Sequence, residues 1–151
     1  MKAVYIQKTG GPATIIVGSL PVPKVRPKSV LIKVIAASIN YVDLFIRSGI
    51  YQTDLPNPYI LGRDAIGQVV EIGKDVIQFK VGDCVWTNSM GYDGRQGITS
   101  EYALIPEERL FLTPKNADSL KLIGAVHSAA TATIVLQDIM ELKKKKKLLI
   151  E

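Results

Sequence analysis

Glycine and proline cut this chain into short pieces, and that punctuation limits its fold more than any other feature. Twelve glycines and eight prolines stand among 151 residues, mostly between short β-branched runs. Pro21, Pro23 and Pro27 make an extended connector, because proline lacks the N–H a helix needs and clashes with the turn before it. Residues 2–6 and 14–19 read as strands, and Val30 to Ala36 as a third, branched and largely buried. Ala65 to Gly73 reads as a strand in which Gly67 signals a bulge or a close backbone approach. Cys84 to Thr87, Thr99 to Ile105 and Leu110 to Leu112 complete the strands. The glycine-rich stretch from Gly91 to Gly97 lacks a strand-to-helix setting and reads as a flexible turn, not a phosphate cradle. From Asp118 the pattern is helical in two segments. Asp118 or Ser119 caps one that runs to about Ala125, and an Ala-rich second covers about Ser128 to Met140. Leu148 to Ile150 reads as the start of a further strand. Short strands followed by helices imply a mainly β fold, an irregular and partly open barrel or sandwich with appended helices.

The bulk numbers narrow the function. Nineteen lysines and arginines face 14 aspartates and glutamates, and the excess of five equals the run Lys143–Lys147. The body of the domain is therefore neutral and does not carry the basic face of a nucleic-acid binder. The lysines read as the solvated end of a helix, where cations suit the dipole. No uninterrupted apolar run approaches the 18–20 or so residues that span a bilayer, so no membrane partner is expected. The opening segment turns polar at Gln7, too soon for a signal peptide, and a cytoplasmic location is the expectation. The single cysteine, Cys84, rules out an internal disulfide and reads as a small buried core residue.

The chemistry concentrates between Asn40 and Asp64. Val42, Phe45 and Ile46 recur at helical spacing, Asn40 suits the N-cap, Asp43 falls in the first turn, and Gly49 ends the helix. Asn40, Asp43, Arg47, Tyr51, Arg63 and Asp64 are the polar groups available to line a cleft around this element. Each also has a purely structural reading. Asn40 is a cap, Asp43 a first-turn carboxylate, and Arg47 and Arg63 are carboxylate partners for Asp43 and Asp64. Tyr51 is a half-buried ring with a wet hydroxyl, and His127, among Ala, Val and Ser, is a satisfied helix residue.

Taken together these motifs resemble a known family. Its carriers are the Met1-Lys2-Ala3 start, Asn40 with Asp43, Ile46-Arg47-Ser48-Gly49, Leu61-Gly62-Arg63-Asp64 with Gly67, Val81-Gly82-Asp83 with Val85, Glu101-Tyr102-Ala103, and Thr131-Ala132. In this order and spacing they resemble the N-terminal, GroES-like catalytic domain of medium-chain dehydrogenase/reductases, in the zinc-independent quinone oxidoreductase (zeta-crystallin-like) group. The resemblance implies a GroES-like, partly open barrel over residues 1–125. It also implies, over 126–151, a linking helix and the start of a nucleotide-binding domain. No Gly-x-Gly-x-x-Gly follows a strand, so a Rossmann domain is expected to be missing as a partner of this chain.

The resemblance further implies hydride transfer from NADPH, or NADH, to a quinone or an α,β-unsaturated carbonyl. Asn40 and Tyr51 are then the candidate catalytic donors to the substrate oxygen, and Thr131 and Tyr41 the candidate cofactor-binding residues. Asp43, Arg47, Arg63 and Asp64 hold the cleft wall. Many relatives carry a second tyrosine where this chain has Phe45, which implies an altered substrate range. In zinc-dependent relatives a cysteine takes the Asn40 position and a His-Glu pair the Arg63-Asp64 position. An amide and a guanidinium cannot replace those ligands, so no metal is expected. The chain alone is expected to bind no cofactor, to turn nothing over, and to self-associate through an exposed helix 128–140. The alternatives are a non-catalytic GroES-like binding or scaffolding domain and a fragment of a zinc-type alcohol dehydrogenase.

Overall fold

The computed structural model describes residues 1–143 and 147–149. The strands are β1 (Lys2–Ile6), β2 (Ile16–Ser19), β3 (Ser29–Ser38), β4 (Tyr59–Ile60), β5 (Asp64–Ile72), β6 (Cys84–Thr87), β7 (Tyr102–Pro106) and β8 (Phe111–Leu112). They form two antiparallel sheets, one of three strands in the order β2-β1-β4 and one of five in the order β7-β3-β5-β6-β8. The fold is mainly β with appended helices, as the punctuation implies, and both sheets are open: the barrel does not close.

Branched residues from β3, β5, β6 and β7 make the main core, with Ile32, Ala65, Val85, Ile98 and Ile105 fully enclosed. A smaller cluster of Ile6, Ile46 and Tyr59 seats helix α1 (Tyr41–Ser48) on the first sheet. Gly67 earns its place in β5 by close approach: a Cβ there would stand 2.5 Å from the Lys33 carbonyl oxygen. Opposite it, the β3 register shifts between Val34 and Ala36, which is a bulge. β3 was expected to be largely buried; its first half is, while beside the bulge Ile35 stands at 57% exposure.

Several local expectations change once the chain is folded. Residue 14 belongs to a 3-10 turn (Pro12–Thr14), and β2 begins at Ile16. β7 begins at Tyr102, because residues 99–101 pair with β1 instead. β4 is a two-residue strand that the proline-rich loop concealed. Cys84 is exposed, because alternation along β6 turns Val85 inward and Cys84 outward. The 91–97 loop is tied down on both sides. Gln96 accepts the Ile60 N–H at 2.7 Å and donates to the Pro58 carbonyl at 2.7 Å, while the Asp93 N–H donates to Thr53 Oγ1 at 2.9 Å.

The two expected helices are one. α2 (Ser119–Thr133) runs unbroken and continues as a π-helical stretch, Ile134–Ile139. Asp118 caps it, its carboxylate accepting the N–H groups of Leu120 and Lys121 at 3.0 and 3.1 Å. Ser119–Ile139 is 21 residues long and contains an 18-residue window with a mean hydropathy of 1.4, long and apolar enough to cross a bilayer by length and composition alone. Reading them as two segments concealed that. Ile123 and Val126 anchor the first half against Ile66, whereas Ile134, Ile139 and Met140 are exposed. Lys143 lies beyond the helix and outside regular structure, and Lys144, Lys145 and Lys146 lie outside the described residues. Leu148 and Leu149 carry no strand, and Ile150 lies outside the described residues.

Candidate active site

The site is built where β3 ends, α1 begins and β5 starts. Pairing of Ser38 with Asp64 brings those chain segments side by side. Asp64 is fully buried there. Its Oδ2 accepts from Asn40 Nδ2 at 2.7 Å and from Ser38 Oγ at 3.2 Å, and lies 3.5 Å from His127 Nδ1 on α2. Asn40 therefore does more than cap a helix. Its side chain belongs to Asp64, while its backbone N–H donates to Asp43 Oδ2 at 2.7 Å. An amide nitrogen carries two hydrogens, so one of the Asn40 pair remains for another acceptor.

Burial governs the electrostatics. It pushes the carboxyls of both Asp64 and Asp43 above the usual carboxylate range, because water no longer solvates their charge. For Asp64 the Asn40 hydrogen bond, the His127 charge, the Ser38 hydrogen bond and the Arg63 charge oppose that rise. For Asp43 the neighbouring Asp64 adds to it. Burial also pushes the Tyr59 phenol up, so it stays a neutral donor to the Gly91 carbonyl at 2.9 Å. Asp43 Oδ1, Arg63 Nε, Asp64 Oδ1 and Thr87 Oγ1, and elsewhere Thr113 Oγ1, are buried without a hydrogen-bond partner among the described residues. Thr87 faces Ala65, the neighbour of Asp64, across the sheet. Buried polar atoms without partners are uncommon, and those of Asp43, Arg63 and Asp64 belong to residues that act on one another electrostatically.

The arginines do not form the expected carboxylate forks. Arg47 donates to the Gly10 carbonyl and ties α1 to the first loop. Arg63 lies over the Tyr92 ring, 4.1 Å from its centroid, and Arg95 stands at the same distance. The delocalised guanidinium gains more from the aromatic face than a point charge would. Arg63 still lowers the pKa values of Asp43 and Asp64, without an ion pair to either among the described residues.

The other candidates spread outward. Thr131 is exposed one helical turn beyond His127, and its hydroxyl donates to the His127 carbonyl at 3.1 Å. Tyr41 is 82% exposed at the start of α1. Tyr51 lies past the opposite end of that helix, its backbone N–H bonded to the Phe45 carbonyl and its hydroxyl without a partner among the described residues. Phe45 faces outward at 46% exposure, because Ile46 takes the buried side of α1. Ser38 was not among the expected site residues, and His127, expected as a satisfied helix residue, finds its partner in Asp64. For His127 the available signal was one ionisable group set in an otherwise apolar helix. Among the described residues, no three His, Cys, Asp or Glu side chains converge as metal ligands.

The chain has known relatives. The alcohol dehydrogenase GroES-like domain model matches residues 26–115. The chain is 36% identical over 138 residues to an NADPH-dependent alkenal/one oxidoreductase, chloroplastic, of Arabidopsis thaliana, covering 87% of this chain and 36% of that protein. It is 37% identical over 121 residues to a quinone oxidoreductase of Sus scrofa, covering 78% of this chain and 35% of that one. Among solved structures, a quinone oxidoreductase of Pseudomonas syringae pv. Tomato DC3000 superimposes with a TM-score of 0.86 at 25% identity, over 94% of this chain and 42% of its own. An NAD-dependent alcohol dehydrogenase does so with a TM-score of 0.87 at 29% identity, over 96% and 49%. The chain thus spans a little over a third of the length of these curated relatives.

Proposed function

Because the chain belongs to the alcohol dehydrogenase GroES-like domain family, on its quinone oxidoreductase side, we propose that it is the carbonyl-binding half of an NAD(P)H-dependent oxidoreductase that reduces a quinone or an α,β-unsaturated carbonyl. The observation that carries this reading is the chain of contacts from Asn40 through buried Asp64 to His127. A buried carboxylate holds both a neutral amide and an imidazole at one strand end, within a family of oxidoreductases.

Thr131 and Tyr41 are the residues this chain offers to a nicotinamide nucleotide. Both are exposed, and a hydroxyl and an aromatic ring suit an amide-bearing planar ring. When bound, such a cofactor supplies the hydride. The chain's own part is to manage the charge that grows on the substrate oxygen. The remaining Asn40 amide hydrogen serves as a donor, held in direction by the 2.7 Å bond to Asp64. A fixed donor of this kind contributes about 3–4 kcal/mol to the transition state where water is excluded. Tyr51 is a second donor, a hydroxyl able to supply a proton. Arg63 steadies Asp64 electrostatically, Asp43 holds the Asn40 backbone N–H, and Arg47 holds α1 in place.

The test joins this chain to the nucleotide-binding domain of a quinone oxidoreductase and follows NADPH oxidation with 1,4-naphthoquinone and with trans-2-nonenal. Turnover with at least one of them is expected. A folded fusion that binds NADPH and reduces neither would overturn the reading.

A further inference from the structure

We propose that Tyr92 is a positioning residue for the candidate site: its ring, shared by Arg63 and Arg95, fixes the Arg63 guanidinium beside the buried pair Asp43 and Asp64. The role rests on Asn40 acting as the donor that Asp64 holds, and it extends that site to a loop in which no candidate residue lies.

The loop reaches the site through formed contacts. The Met90 N–H donates to the Arg63 carbonyl at 3.3 Å, and the Tyr59 hydroxyl donates to the Gly91 carbonyl at 2.9 Å. Gly91 is left-handed at φ +73°, and a Cβ there would stand 2.7 Å from the Gly62 carbonyl oxygen. Glycine permits both the dihedral and the approach. Tyr92 is thereby delivered to the segment just ahead of β5, where it packs against Ile6, Ile46 and Tyr59. The Arg95 N–H donates to the Tyr92 carbonyl at 3.1 Å, a turn that returns Arg95 to the same ring.

The two arginines are held differently. Arg95 also donates from Nε to the Ser89 carbonyl at 3.3 Å and pairs with Asp93 at 3.4 Å. Arg63 has no ion pair among the described residues, and its buried Nε has no hydrogen-bond partner among them. The Tyr92 ring, with its centroid 4.1 Å from the guanidinium carbon, is therefore what sets the place of that charge. The place matters, because the Arg63 charge lowers the pKa values of Asp43, Asp64 and Tyr59 alike. The other cation acting on both aspartates is His127 of α2, while Asp64 raises Asp43. Asn40 bonds more strongly to an ionised Asp64 than to a neutral one, so a charge that favours the anion also stiffens the donor.

The test follows the carboxyl carbons of Asp43 and Asp64 by NMR during pH titration of the full chain. Tyr92→Leu keeps an apolar side chain in the cluster and removes the ring. At the pH where the parent's Asp64 is half ionised, this variant should be ionised about twofold less. Tyr92→Phe, which keeps the ring, should match the parent. Arg63→Gln should raise both aspartates, and Tyr92→Leu on that background should change nothing further, whereas a merely structural role would add. Arg63→Lys keeps the charge but has no planar face to lay on the ring, so it should also titrate higher, and it serves if Tyr92→Leu does not fold. An unchanged or lower titration in Tyr92→Leu or in Arg63→Lys would overturn the proposal. So would an equal shift in Tyr92→Phe, or additivity with Arg63→Gln. The titration needs no turnover, so its outcome is independent of whether the fused enzyme reduces a quinone. In an active fusion, Tyr92→Leu should move the acid limb of kcat to higher pH.

Discussion

His127 reaches Asp64 across the interface between α2 and the large sheet, its Nδ1 standing 3.5 Å from the carboxylate Oδ2. The contact links the first residue of β5 to the third turn of the helix. Apolar packing by Ile123 and Val126 against Ile66 surrounds it. The helix is thereby both seated by hydrophobic burial and registered by a polar contact.

Replacing His127 with Ala removes one partner from a buried carboxyl and leaves the apolar anchors untouched. The expected cost is about 1–2 kcal/mol. It is measured as a lower urea midpoint at unchanged m, which would place the effect in stability and not in compactness. A midpoint equal to the parent's would remove His127 from the account of how α2 docks.

The pH dependence of stability follows from the raised carboxyls of Asp43 and Asp64. Folded, they hold their protons to higher pH than in the unfolded chain, where the reference is 3.8. The stability associated with their neutral forms is complete below that value and is lost as pH rises through the folded values. Asp64→Asn keeps an acceptor for Asn40 and cannot ionise. The variant should gain on the parent as pH rises from about 4 to about 7. Urea midpoints across that range check this, and a constant offset between the two proteins would contradict it.

Helix α1 offers a paired test of burial. Ile46 is fully enclosed and Phe45, its neighbour, is 46% exposed. Ile46→Ala should cost about 2–5 kcal/mol. Phe45→Ala, which removes the larger side chain, should cost under about 1 kcal/mol. Thermal or urea unfolding of the two variants checks the order, and a reversed order would mean that α1 seats on its other face.

Gly67→Ala forces a methyl group to within 2.5 Å of the Lys33 carbonyl oxygen. The neighbouring backbone is held in a ladder and cannot give way cheaply. A loss of about 1–3 kcal/mol is expected, with altered amide shifts along β3 and β5. An unperturbed variant would show that the bulge beside Val34 absorbs the added carbon.

In the fused enzyme, Asn40→Ala should lower kcat by about 100-fold or more while the fold is kept, the scale of losing one oxyanion donor. Asn40→Asp, which exchanges an amide donor for a carboxylate facing Asp64, should lower it at least as far. Steady-state rates with 1,4-naphthoquinone check both. A full rate for Asn40→Ala would leave Asn40 as a cap and a partner of Asp64 alone.

The strands of the large sheet were legible because branched runs between glycines leave few other conformations, and Gly67 announced the close approach that Lys33 makes. Asn40, Asp43 and Gly49 marked the limits of α1 because caps are local chemistry. The destinations of Arg47, Arg63 and Cys84 were not legible. Arg47 bonds to Gly10, 37 positions away, and Arg63 stacks on Tyr92 from a different loop. Cys84 turned outward because strand alternation depends on which neighbour the core claims. The continuity of α2 was missed for a related reason: one segment was expected to end near Ala125 and a second to start near Ser128, yet the helix packs on the sheet through Ile123 and Val126 and runs on.

By its sequence alone this protein was committed to short antiparallel strands, to a capped helix after β3, and to a polar cluster around Asn40 and Asp64. Those depend on backbone dihedrals and on neighbours within a few positions. Tertiary structure decided that both sheets stay open and that Asp64 is shared between Asn40 and His127. Each of these joins groups far apart along the chain, and whether they meet is settled by burial and strand register, which no local pattern encodes.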